Sequence, residues 1–138
     1  MEQDRNSRVL HVLLVEDEAL ISEWVSQALE GEGFAVHAVA NGRDALDYLD
    51  AHDDVDVLFT DINLPGDMDG ARLARLARDR CPGLGVIYSS ARYRMMEPHA
   101  QVPDSTFVPK PYMPSQISSL LTRMACGPSN AQALARRH

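Results

Sequence analysis

Residues 9–15 are apolar without alternation and rich in Val and Leu, a run that suits a strand buried on both faces of a sheet. Glu16, Asp17 and Glu18 end it abruptly. Leu20, Ile21, Trp24, Val25, Ala28 and Leu29 then recur at helical spacing over residues 19–29, and Gly31 and Gly33 supply the stop. The unit repeats. Residues 34–39 read as a second strand, and Asn41 and Gly42 lead into a short helix carrying Ala45, Leu46 and Leu49, with Asn41 placed to cap it. Residues 55–60 form a third strand ending at Asp61, and Gly70 opens a helix whose Leu73, Ala74, Leu76 and Ala77 face inward until Cys81, Pro82 and Gly83 close it. A fourth strand covers residues 84–89, a short fifth holds Phe107 and Val108, and residues 116–124 make the last helix through Ile117, Leu120 and Leu121. Between strands four and five, residues 92–104 contain Pro98 and Pro103, so the fourth helix expected there is short or irregular.

Strands alternating with helices at this density imply an α/β fold with a doubly wound parallel sheet, its right-handed crossovers placing helices on both faces. In such sheets a binding site forms beyond the carboxyl ends of the strands. The residues to inspect are therefore those that follow each strand.

Composition narrows the classes. A chain of 138 residues fits one domain that buries roughly two thirds of its unfolded surface. With 45% hydrophobic and 24% charged residues it is too apolar to be disordered. The formal charge of -7 argues against a nucleic-acid surface, and the only run of adjacent basic residues is Arg136, Arg137 and His138 at the end. Cys81 and Cys126 have neither metal-ligand spacing nor a disulfide pattern, so a reducing cytoplasm is expected. No run approaches the length needed to cross a bilayer, and no apolar leader opens the chain. The expected organisation is a polar tail at residues 1–8, one domain at 9–125 and a short tail at 126–138, with no output domain.

The strand ends carry the chemistry: Glu16 and Asp17 after strand one, Asp61 after strand three, Ser90 after strand four and Lys110 after strand five. Taken singly, each has an ordinary reading. Glu16 and Asp17 would complement a helix dipole, Asp61 would be a turn residue, Ser90 a capping hydroxyl and Lys110 a solvated charge. Trp24, Met95, Met96, Met113 and Met124 read as packing or surface. Together the strand ends say more. Three carboxylates brought close repel one another unless a cation sits among them, and hard oxygen ligands suit Mg²⁺ or Mn²⁺. A carboxylate beside such an ion can attack phosphorus, with a lysine and a hydroxyl holding the remaining oxygens.

Residues 12–18, Thr60 to Pro65 with Met68-Asp69-Gly70, Ser90-Ala91 and Phe107 to Pro111 together resemble the receiver domain of two-component response regulators. That resemblance spans residues 9–124 in order. It implies a flavodoxin-like five-stranded parallel sheet in the order 2-1-3-4-5, with helices on both faces. Asp61 is then the phosphoacceptor. Glu16, Asp17 and Asp61, with the Asn63 backbone carbonyl, bind the metal, while Ser90, Lys110 and the Ala91 backbone amide contact the phosphoryl group. Phe107 is the switch aromatic that turns inward as the Ser90 hydroxyl moves, and the Lys110–Pro111 bond is cis. The implied function is that of a stand-alone signalling phosphoacceptor rather than an enzyme, loaded by a histidine kinase or phosphotransfer protein and read by a downstream protein. Pairing of two copies through the face of the fourth and fifth helices is also implied. The alternative is a small metal-dependent phosphohydrolase, which commonly needs a second acid where Asn63 stands. A flavin-binding module is disfavoured because acidic residues after strand one would repel a phosphate. The chain departs from the pattern in two places: Gly70 lies nine residues after Asp61 instead of eight, and residues 92–104 bear prolines.

Overall fold

The continuous apolar runs become β1 (His11–Val15), β3 (Val57–Asp61) and β4 (Gly85–Ser90). In the computed structural model, which describes residues 9–91 and 101–126, they are the three inner strands of a five-stranded parallel sheet of order β2-β1-β3-β4-β5. The edges are β2 (Ala35–Val39) and β5 (Ser105–Pro109). Connecting them are α1 (Ala19–Gly31), α2 (Gly42–Ala51) and α3 (Gly70–Arg80), and α4 (Pro114–Cys126) follows β5. This is the flavodoxin-like arrangement expected from the sequence. No helix among the described residues is long and apolar enough to cross a membrane.

Two cores explain why the inner strands lack alternation. Leu13, Val15, Leu58, Val86 and Tyr88 point to one face and pack with Ala45, Leu46 and Leu49 of α2 and Leu73, Ala74 and Ala77 of α3. Val12, Leu14, Val57, Phe59 and Ile87 point to the other and meet Val25 and Leu29 of α1 with Ile117 and Leu121 of α4. Each such side chain, once fully buried, contributes about 1.5–3 kcal/mol, so both faces must be apolar and the pattern runs together.

Element ends shift by a residue or two. β1 starts at His11, whose N–H donates to the Asp56 carboxylate (2.9 Å). β5 extends over Ser105–Pro109 rather than Phe107 and Val108 alone, and α4 runs two residues further at each end than expected. Asn41 caps α2 as anticipated, accepting the Asp44 N–H at 2.8 Å. Asp69 caps α3 in the same way, accepting from Arg72 N at 2.9 Å. Most of the expected irregular fourth helix, with Met95, Met96 and Pro98, lies outside the described residues. Residues 101–104 are not helical, and the Tyr88 hydroxyl anchors them by accepting the Val102 N–H (3.1 Å) inside the first core.

The loop from Asp61 to α3 is closed by Gly70. Its N–H donates to Ile62 O (2.8 Å), and a Cβ there would collide with the backbone of Asp61 and Ile62. Within this loop Gly66 takes a positive φ of 91°, while Met68 tucks in against Gly42. Gly70→Ala should therefore force backbone apart directly behind Asp61 and cost about 1–3 kcal/mol. A urea unfolding midpoint equal to that of the wild type would contradict this close packing.

Candidate functional site

Strand geometry delivers each side chain. Asp61 is the last residue of β3 and Ser90 the last of β4, whereas Glu16 and Lys110 stand one residue beyond β1 and β5. Because these strands are parallel neighbours, all four residues emerge on one sheet edge. Glu16, Asp17 and Asp61 each offer a carboxylate oxygen, and the three oxygens lie within 4.8 Å of one another. Glu16 and Asp61 are buried while Asp17 is exposed. The ordinary readings fail for several of these residues. Asp61 is no solvated turn residue, and the cap position of α1 is Glu18, which makes no side-chain cap bond. Glu16 instead accepts the Glu18 N–H (3.1 Å), which aims its other oxygen at the site.

Lys110 departs from the solvated reading. Its Nζ donates to Glu16 Oε1 at 2.9 Å and to Asp61 Oδ2 at 3.1 Å, with only 14% of its side chain exposed. Thus the repulsion expected among bare carboxylates is already partly offset by a cation belonging to the chain. Burial still dominates. It pushes the carboxyls of Glu16 and Asp61 above their usual range, against the opposing pull of Lys110. The Lys110 ammonium is itself opposed by burial, but its bonds to the two acids outweigh this and hold it above its ordinary value.

Ser90 and Phe107 project to one face of the sheet: Phe107 pairs in register with Tyr88, two residues before Ser90. Phe107 is half-buried against the first core. Ala91 is exposed at the start of the β4–β5 connection, and the Lys110–Pro111 peptide is cis. Trp24 and Met113 lie on the surface, whereas Met124 packs against the second core.

Three features escaped the sequence reading. The Asn63 side chain donates from Nδ2 to Ser90 Oγ (3.1 Å), a contact across 27 residues. Tyr112 packs its ring on Phe59 (centroids 5.6 Å apart), and burial pushes its phenol up to about 12, with the charges of Lys110, Glu16 and Asp61 also acting on it. Ser89, the register partner of Asp61, is buried and its hydroxyl has no hydrogen-bond partner among the described residues. An aromatic residue directly after Lys110-Pro111 was the one signal available for Tyr112; the other two needed the register.

Comparison with known proteins decides the family, because the model of the response regulator receiver domain matches residues 12–122. The chain belongs to the response-regulator receiver family. A solved receiver protein from Sinorhizobium medicae superposes with a TM-score of 0.75 at 30% identity, covering 95% of this chain and 98% of that one. Among curated relatives, the transcriptional regulatory protein TctD of Salmonella typhimurium is 31% identical over 84% of this chain and 54% of its own length. The transcriptional regulatory protein HprR of Escherichia coli is 42% identical over 50% of this chain and 30% of its own length. The receiver chain thus spans only about a third to a half of those regulators.

Proposed function

We propose that Asp61 is the phosphoacceptor of this receiver and that the reaction uses a divalent ion, Mg²⁺ or Mn²⁺. The observation carrying this reading is the trio of carboxylate oxygens within 4.8 Å on one sheet edge, joined by a lysine that bonds two of them. An all-oxygen donor set suits a hard cation, so Glu16, Asp17 and Asp61 fit the ion, with the Asn63 carbonyl as a fourth protein ligand. When bound, the ion supplies charge neutralisation between the anionic acceptor and the incoming phosphoryl group. An Asp61 oxygen forms the new O–P bond while the bond from phosphorus to the donor breaks, and the donor keeps that electron pair. Lys110 and Ser90 then hold phosphoryl oxygens, with the Ala91 amide assisting, which is chiefly a task of positioning and electrostatics. Phe107, on the same face as Ser90, reads the hydroxyl's position and changes its packing. The donor is a histidine kinase or a phosphotransfer protein, and the output is a protein contact.

Incubation with acetyl phosphate tests this. One phosphoryl group should appear only with a divalent ion, and it should be lost in both acid and alkali because an acyl phosphate is a mixed anhydride. Labelling that persists in EDTA, or a product stable to alkali, would overturn the proposal.

A further inference from the structure

We propose that Asn63 acts through its side chain as a positioning residue, a latch that holds the Ser90 hydroxyl before phosphorylation and surrenders it to the phosphoryl group afterwards. The inference rests on the phosphoacceptor reading of Asp61 and assigns the Asn63 amide a task separate from that of its backbone carbonyl.

The Asn63 side chain projects from the exposed β3–α3 loop, while Ser90 is 2% exposed at the end of β4. Their Nδ2 to Oγ distance of 3.1 Å ties loop to strand. An amide NH₂ can only donate, so the Ser90 oxygen is the acceptor in this contact. The pleat adds a second constraint. Asp61 and Ser89 are register partners, so Ser90, one residue further along, leaves the sheet toward the opposite face, that of Tyr88 and Phe107. Asp61, meanwhile, has one oxygen held by Lys110. In this arrangement Asp61 and Ser90 are each held by a different partner, Lys110 for one and Asn63 for the other.

A phosphoryl group on Asp61 changes the balance. It adds charged oxygens, and a hydroxyl bonded to an ionised acceptor is held roughly twice as strongly as one in a neutral amide–hydroxyl contact. The Ser90 hydroxyl therefore moves toward the phosphoryl group and the Asn63 contact opens. The latch bond is neutral and modest, so it resists this movement without preventing it. Its effect on the equilibrium is a factor of roughly two to ten.

The probe is beryllofluoride with Mg²⁺, a stable mimic of the phosphoryl group, titrated against wild type, Asn63→Ala, Ser90→Ala and the double variant. Shifts at Phe107 and the apparent beryllofluoride affinity are followed by NMR. With the latch removed, Asn63→Ala should bind two- to tenfold more tightly and show a larger Phe107 response at subsaturating probe. In the Ser90→Ala background the same substitution should do nothing, because no hydroxyl is left to hold. A direct titration of Mg²⁺ alone separates any effect on the metal. Equal effects of Asn63→Ala in both backgrounds, or weaker binding with unchanged Mg²⁺ affinity, would overturn the latch. Failure of the wild type to bind beryllofluoride would instead overturn the phosphoacceptor reading.

Discussion

Asp61→Asn should take up no phosphoryl group from acetyl phosphate or from a phosphorylated donor protein, a loss of at least about a hundredfold in initial rate. The reason is chemical and local. A carboxylamide has the same shape as the carboxylate but neither its charge nor its nucleophilic oxygen. The surroundings should survive, because Lys110 keeps its bond to Glu16 (2.9 Å) and β3 keeps its pairing with β1 and β4. Removing a buried carboxylate that desolvation disfavours should also stabilise the metal-free fold by about 1 kcal/mol at neutral pH. Near-native circular dichroism with a slightly raised urea midpoint, together with absent labelling, is the expected combination. Stoichiometric labelling of the variant elsewhere in the chain would defeat the assignment of Asp61.

The second large effect concerns Lys110, the cation that the chain itself inserts between two buried acids. Lys110→Met keeps most of the side-chain stem and deletes the charge, leaving Glu16 and Asp61 facing each other at 4% and 8% exposure. Breaking a buried ion pair by removing one member costs about 3–5 kcal/mol. Proton uptake by one acid relieves part of that, so about 2–4 kcal/mol is expected in EDTA near pH 8. The sign of the pH dependence follows from the directions of the shifts. Glu16 and Asp61 both titrate above their ordinary values, so the stability each contributes is fully present below the usual carboxylate range and disappears as pH rises through the raised values. Metal-free wild type should therefore lose stability between mildly acidic and neutral pH, and Lys110→Met should lose more over a wider span. Millimolar Mg²⁺ should restore much of the variant's deficit by binding the folded form alone. Urea denaturation at several pH values, with EDTA and with Mg²⁺, measures every arm. A variant as stable as wild type in EDTA at pH 8 would show that Lys110 is not balancing the pair.

Much of the fold was legible because three of the five strands are buried on both faces, which leaves an apolar run that few other structures produce. The edge strand β2 was harder to bound, since its residues are only half-buried or exposed and Phe34 joins its apolar run without joining the strand. Strand β5 was underestimated because Ser105 and Thr106 are polar and yet pair with Val86 and Ile87. At the candidate site, Glu16, Asp17, Asp61, Ser90 and Lys110 could be nominated because each ends or follows a strand. What the sequence concealed was who holds whom. The Lys110 contacts reach back 94 and 49 residues, and the Asn63 amide reaches Ser90 across 27. Such pairings depend on register and on the depth of burial, and neither leaves a periodic trace. The lysine that partly offsets the carboxylate repulsion was hidden for the same reason.

The strand order makes the site lopsided. Asp61 ends the central strand; its acidic neighbours stand on the β1 side, and Ser90 and Phe107 stand on the β4 and β5 side. On the proposed reading, substitutions on the β1 flank adjust how readily the acceptor is loaded, and those on the other flank adjust how faithfully the load is read. Lys110 and Ser90 join the two flanks, Lys110 because it starts from β5 and bonds an acid of β1, Ser90 because it holds a phosphoryl oxygen and is read by Phe107, so a change at either moves both dials together.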